Sequence, residues 1–251
     1  MSLLPLRSLI SPNPPRDRLV IDGCEVPVSY RRNGRAKRII LRMDRKSDGV
    51  ILTVPPGVSF KKALDFAVKQ SAWIKKHLQK RIDKVTFADG ALVPLRGELH
   101  RIEHRPDKRG TVWVETPNDP DQMPMICVAG DAAHLPRRAR DWLKKQARED
   151  LSSACSRYSG AMGLTHKRIS IRDTSSRWGS CSSSGNLSFS WRLILAPVDV
   201  LDYVAAHEMA HLKEMNHGPD FWALVEAHCT HTKSAKAWLK KNGPDLHRYG
   251  D

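Results

Sequence analysis

Alternating and helically spaced apolar positions divide this chain into a strand-rich first half and a helix-rich second half. Leu19-Val20-Ile21, Cys24-Glu25-Val26-Pro27-Val28, Arg38-Ile39-Ile40-Leu41-Arg42 and Val50-Ile51-Leu52-Thr53-Val54 predict strands, the first two joined at Asp22-Gly23. Ser59 is placed to cap a helix running to about Arg81, broken or re-capped at Ser71. Further short strands are expected from Ala91 to Ala129, with turns at Arg96-Gly97 and Arg105-Pro106-Asp107. A long helix follows from about Leu135 to Tyr158, with Trp142, Leu143, Ala147 and Leu151 toward the core. Ile169–Arg172 and the alternating Leu187, Phe189 and Trp191 predict two more strands, with the turn chemistry of Ser184-Gly185-Asn186 between them. Residues 1–17 are proline-rich and read as a flexible tail. The class is α+β: a β-rich region with one helical segment over 18–130, then a helix-dominated domain over 131–251, the alternative being one integrated domain.

Within the second half, Val200, Val204, His207 and His211 follow i, i+4, i+7, i+11, so two histidines continue an apolar helical stripe. Pro197 suits the first helical position and Asp199 the first turn. His207-Glu208-Met209-Ala210-His211 is an HExxH sequence, and residues four apart on a helix share a face, so both imidazoles can reach one ion. Zinc accepts imidazole nitrogen at about 2.0–2.1 Å, and a catalytic site keeps three protein ligands and a fourth place for water. Glu208, next to the first ligand, is placed to act on that water as general base. This reading is a zinc-dependent peptidase with one ion; an ordinary buried helix would need neither Glu208 nor a further histidine.

The third ligand requires the chain to turn back. Asn216-His217-Gly218-Pro219 offers the means, since Asn and Gly tolerate the left-handed conformation and Pro219 can open the next helix. His217 therefore leads, with Glu226, His228, His231 and Glu214 as rivals. The metzincin pattern HExxHxxGxxH has this ligand spacing, but Glu214 stands at its glycine position, which argues against that turn.

Arg177-Trp178-Gly179-Ser180-Cys181-Ser182, then Asn186-Leu187-Ser188-Phe189-Ser190-Trp191-Arg192-Leu193, then His207–His211 and Asn216-His217-Gly218-Pro219-Asp220-Phe221-Trp222, resemble the YgjP-like family of zinc metallopeptidases, which are related to SprT-like proteases. Phe87-Ala88-Asp89-Gly90 and Ser71-Ala72-Trp73-Ile74 add to it, so the resemblance spans roughly residues 20 to 245. It implies a zincin-like domain over 131–251, its HExxH helix packed on a small antiparallel sheet. It also implies His207, His211 and His217 as zinc ligands and Glu208 as the catalytic base. Arg177, Trp178 and Ser180 are candidate substrate-binding residues: Arg177 could meet a substrate carbonyl or carboxylate, or only pair with an acid. The strands before the zinc helix could accept an extended peptide by strand addition, or only pack that helix.

Composition adjusts this picture. Five dispersed cysteines without CxxC spacing suggest neither a disulfide framework nor a thiolate zinc site, and Cys181 reads as a small buried residue. No long apolar run or signal-like start is present, so the expected protein is cytoplasmic and has no membrane partner. The formal net charge is +15, with basic runs that include Arg137, Arg138, Lys144 and Lys145 on one predicted helix. This opens an alternative: a nucleic-acid-binding protein with structural zinc, or a DNA-associated SprT-like protease. Glu208 separates the first of these from an enzyme, because a closed structural site gains nothing from an adjacent base.

Overall fold

Val26, Val28 and Tyr30 are buried at alternate positions, as are Val50, Leu52 and Val54, and the first sheet is built on these two rows. The computed structural model describes residues 16–21, 23–44, 49–79, 84–119 and 121–250, in two compact units, Met1–Arg81 and Ile82–Asp251. Most of the tail expected over 1–17 lies outside the described residues, while Arg16 and Asp17 already belong to β1.

In the first unit β1 (Arg16–Ile21) pairs antiparallel with β2 (Cys24–Arg32), β4 (Val50–Val54) joins β2 in parallel, and β3 (Ile40–Met43) closes the order β1-β2-β4-β3. Ser59 caps α1 (Phe60–Lys69) by accepting the Lys62 N–H at 3.2 Å. The expected break falls at Gln70, before α2 (Ser71–Gln79). Ala63, Ala67 and Ile74 complete this core.

The second unit begins with β5 (Leu92–Leu95), β6 (Glu98–Arg105), β7 (Val112–Glu115) and β8 (Met125–Ala129), in the order β5-β6-β8-β7. The β5–β6 turn needs positive φ at both central residues, Arg96 (54°) and Gly97 (84°), and bends with the twist of the strands. Arg96 sits there because it is held elsewhere: its guanidinium meets Asp150 twice at 2.8 Å and Gln146 at 2.9 Å. Both partners lie on α3 (Leu135–Met162). The composition shift near residue 130 is not the boundary between the compact units, because Phe87, Val93, Ile102 and Ile126 share one core with Leu143, Leu151, Trp191 and Val204. On the outer side of α3, Arg137 pairs with Asp141 at 3.7 Å and Lys145 with Glu149 at 3.9 Å, exposed pairs of small energetic weight.

A second, small sheet contains β9 (Arg168–Arg172), β10 (Gly179–Cys181) and β11 (Asn186–Ser190), in the order β10-β11-β9. Here the expectation is corrected. The hairpin joins β10 to β11 across the 182–185 turn, and β9 lies parallel to β11 on its other side, so the sheet is mixed. β10 carries Gly, Ser and Cys, with no alternation to betray it. Arg192, buried just after β11, donates to Asp173 at 2.8 Å and to the carbonyls of Leu246 and Tyr249. It thereby ties the loop after β9 to the C-terminal turn.

Three helices follow: α4 (Val198–Ala210), α5 (Pro219–His228) and α6 (Thr232–Asn242). No described helix is long and apolar enough to cross a membrane.

Candidate metal centre

Proline at position 197 precedes α4 as its cap, one residue outside the helix, and Asp199 occupies the first turn. Val200 and Val204 are buried, so the stripe they begin carries His207 and His211 inward. The helix ends at His211, whose N–H reaches the His207 carbonyl at 3.3 Å. The Gly218 N–H then returns to the Asn216 carbonyl at 2.8 Å, closing a three-residue turn centred on His217. The chain turns back as expected but by a different route. Gly218 has φ −78° and Asn216 is not left-handed, so a tight turn and the start of α5 suffice.

This turn brings three imidazoles together. His207, His211 and His217 each offer a ring nitrogen within 4.8 Å of the others, and the Nε2 atoms of His207 and His217 are 3.0 Å apart. His211 Nδ1 lies 2.9 Å from the Glu214 carbonyl, which can only accept, so Nδ1 carries the proton and Nε2 keeps a free lone pair. Behind His207, the Tyr203 hydroxyl is 3.4 Å from Nδ1. Phe221 stacks on His211 with centroids 4.5 Å apart, Trp222 stacks on His217 at 5.8 Å, and the Lys236 ammonium lies over Trp222 at 3.6 Å. Burial, with His211, His217 and Lys236 nearby, lowers the His207 pKa to about 3. Burial lowers His211 as well. Three convergent imidazole nitrogens are a donor set a divalent transition metal takes, so the residues fit such an ion.

Glu208 is 4 % exposed and lies against β10. Burial pushes its carboxyl up to about 7, against the downward pull of Arg177 and of the Cys181 backbone. Of the candidate substrate-binding residues, Arg177 is exposed near Glu208, Ser180 is half-buried opposite Ser188, and Trp178 stacks on His247 at 5.2 Å. Of the rival ligands, Glu214 meets His211 only through its backbone carbonyl and is not in the three-histidine group, and the others lie apart. Glu226 is exposed on α5, His228 is bonded to the carbonyls of Leu224 and Ala161, and His231 belongs with Asp202 and Cys229. Cys181 is half-buried, and burial and Glu208 raise its thiol, which disfavours the thiolate a nucleophile needs.

Residues 37–242 match the YgjP-like metallopeptidase domain. The chain belongs to the YgjP-like metallopeptidase family. It is also similar to a solved structure described as the metallopeptidase zymogen of Pyrococcus abyssi abylysin, at 19 % identity and a TM-score of 0.33, over 36 % of this chain and 94 % of that one. No curated protein matches. In this YgjP-like chain the region matched to the family begins within the first compact unit and takes in all three histidines.

Sequence reasoning passed over three neighbours of the site. Gly179 leaves room for Glu208, and a glycine inside a strand is the signal for such a close approach. Tyr203 stands i−4 from His207, a helical neighbour by spacing alone. Phe221 touches all three histidine rings, at centroid distances of 4.5 to 4.9 Å, and nothing in the sequence sets it apart from a core phenylalanine.

Proposed function

We propose that the chain is a zinc-dependent peptidase with a zincin-like centre, in which His207, His211 and His217 hold one ion and Glu208 is the catalytic base. The observation that carries this reading is the convergence of three imidazoles, one of them next in sequence to a buried carboxyl that burial pushes up to about 7. A base poised there accepts a proton from an attacking water and returns it to the leaving amine. The ion, when bound, supplies Lewis acidity to the scissile carbonyl and to the water beside Glu208.

The small sheet suggests how the peptide lies. Ser190 N–H bonds the Trp178 carbonyl and Ser182 N–H bonds the Asn186 carbonyl, so the backbone groups of Gly179 and Cys181 face away from β11. The Cys181 backbone meets Glu208, and the rest of this edge is placed to take an extended peptide strand. Arg177 is the donor available to a substrate carbonyl. Structural zinc in a nucleic-acid-binding protein leaves the buried carboxyl of Glu208 without a role. A DNA-associated protease is the variant of the peptidase reading that the net charge of +15 favours.

Comparing newly formed protein termini in cells carrying wild type or Glu208→Gln tests the function. Termini that depend on Glu208 are expected; identical sets in the two strains contradict a peptidase.

A further inference from the structure

Round the helix by about 140° from His207, α4 carries a second donor. Asp202, Cys229 and His231 offer an oxygen, a sulfur and a nitrogen within 4.8 Å of one another, the same spread as the three histidines. Asp202 is 8 % exposed and Cys229, which ends α5, is 1 % exposed, while His231 precedes α6. Arg157 takes one carboxylate oxygen of Asp202, and the Tyr158 hydroxyl donates to the other. The same phenol reaches the Cys229 sulfur. His231 Nε2 lies 3.1 Å from Asp202 Oδ2, yet it is shielded from solvent and makes no hydrogen bond. The approach is close but misaligned for an N–H donor. A buried polar nitrogen without an aligned hydrogen bond is costly, and an ion held between it and the carboxylate removes the cost.

We propose that Asp202, Cys229 and His231 form a second zinc site, structural in role, with the Tyr158 hydroxyl facing the fourth position. Thiolate, imidazole and carboxylate are the donors zinc takes. The thiolate and carboxylate balance the two charges of the ion, and Arg157 remains on the other carboxylate oxygen as an outer partner that orients it. A hydrogen-bonded network alone leaves His231 Nε2 with a close carboxylate but no hydrogen bond. A Cys–His–Asp nucleophile is excluded by the burial of Cys229, which no substrate can reach. The site joins α3 through Tyr158, α4 through Asp202 and the α5–α6 link through Cys229 and His231, bracing the helix of His207 and Glu208 from behind. This assignment does not depend on the peptidase reading.

Full-length protein stripped of metal and reloaded with cobalt(II) tests it. The three-histidine centre contains no sulfur, so a thiolate-to-cobalt charge-transfer band reports the second site alone. Two equivalents of metal and this band are expected in wild type. His217→Ala should fall to one equivalent and keep the band. Cys229→Ser should also fall to one equivalent and lose it. His231→Asn, which leaves the buried thiol in place, should lose the same equivalent if Cys229→Ser does not fold. Wild-type protein without the band overturns the proposal. So does a band that survives in Cys229→Ser, which would assign the sulfur to another cysteine.

Discussion

The carboxyl of Glu208 rests so closely on the backbone of Gly179 that a Cβ there would fall 2.6 Å from its Cγ and 2.8 Å from its carboxyl carbon. Something must move to admit even a methyl group. The glycine of the Arg177-Trp178-Gly179-Ser180-Cys181 segment is therefore explained by what passes over it.

Gly179→Ala should displace the Glu208 carboxyl and leave the histidines untouched. Misplacing a catalytic group by about 1 Å costs on the order of 100-fold in rate. We expect a loss of kcat/KM of about that size with zinc content unchanged, read by peptide cleavage and metal analysis. Wild-type turnover in this variant would remove Glu208 from the chemistry.

The third ligand is tested by contrast. On the proposed ligand set His217→Ala would remove one of three protein bonds to the ion, whereas Glu226 is exposed and outside the cluster. After dialysis against a mild chelator, His217→Ala should be nearly metal-free and Glu226→Ala nearly full. The reverse ranking would move the third ligand onto α5.

Tyr203→Phe should weaken zinc binding without abolishing it. The hydroxyl is 3.4 Å from His207 Nδ1 and helps orient that ring. Outer partners of this kind are worth roughly 10–100-fold in affinity, and at this long distance we expect about 10-fold by competition with a fluorescent chelator. An unchanged affinity would mean that the surrounding rings alone set His207.

Much of this was legible in the sequence because its signals are local. HExxH places His207 and His211 by helical spacing, and Pro219 marks the start of α5. Alternation in Val50–Val54 gives β4 at its observed bounds. β10 escaped because Gly179, Ser180 and Cys181 carry neither bulk nor alternation, and its pairing with β11 then made β9 look like the hairpin partner. Non-local pairings were equally silent. Nothing in the spacing of Arg192, Asp173 and Leu246 announces that one guanidinium joins them. The division after Arg81 was hidden because strands β5 to β8 look like those of the first unit, while their core residues pack with α3.

The charge supports a narrower test than the sequence implied. Two of the four basic residues singled out on α3 are in ion pairs, Arg137 with Asp141 and Lys145 with Glu149. Lys144, Arg148 and Arg172 line a cleft of about 450 Å³ between α3 and β9. If the DNA-associated variant holds, reversing these three charges should lower the log–log salt slope of duplex DNA binding by about 0.9 for each phosphate they neutralise, with zinc content unchanged. An unaltered slope rules out a nucleic-acid face in that cleft.

The central claim is that Glu208 performs chemistry on an ion it does not hold. Peptide hydrolysis by Glu208→Gln, measured on protein whose zinc content is determined in the same preparation, tests it most directly. The account predicts zinc retained at the wild-type level and hydrolysis abolished; wild-type turnover in the zinc-loaded variant would contradict it.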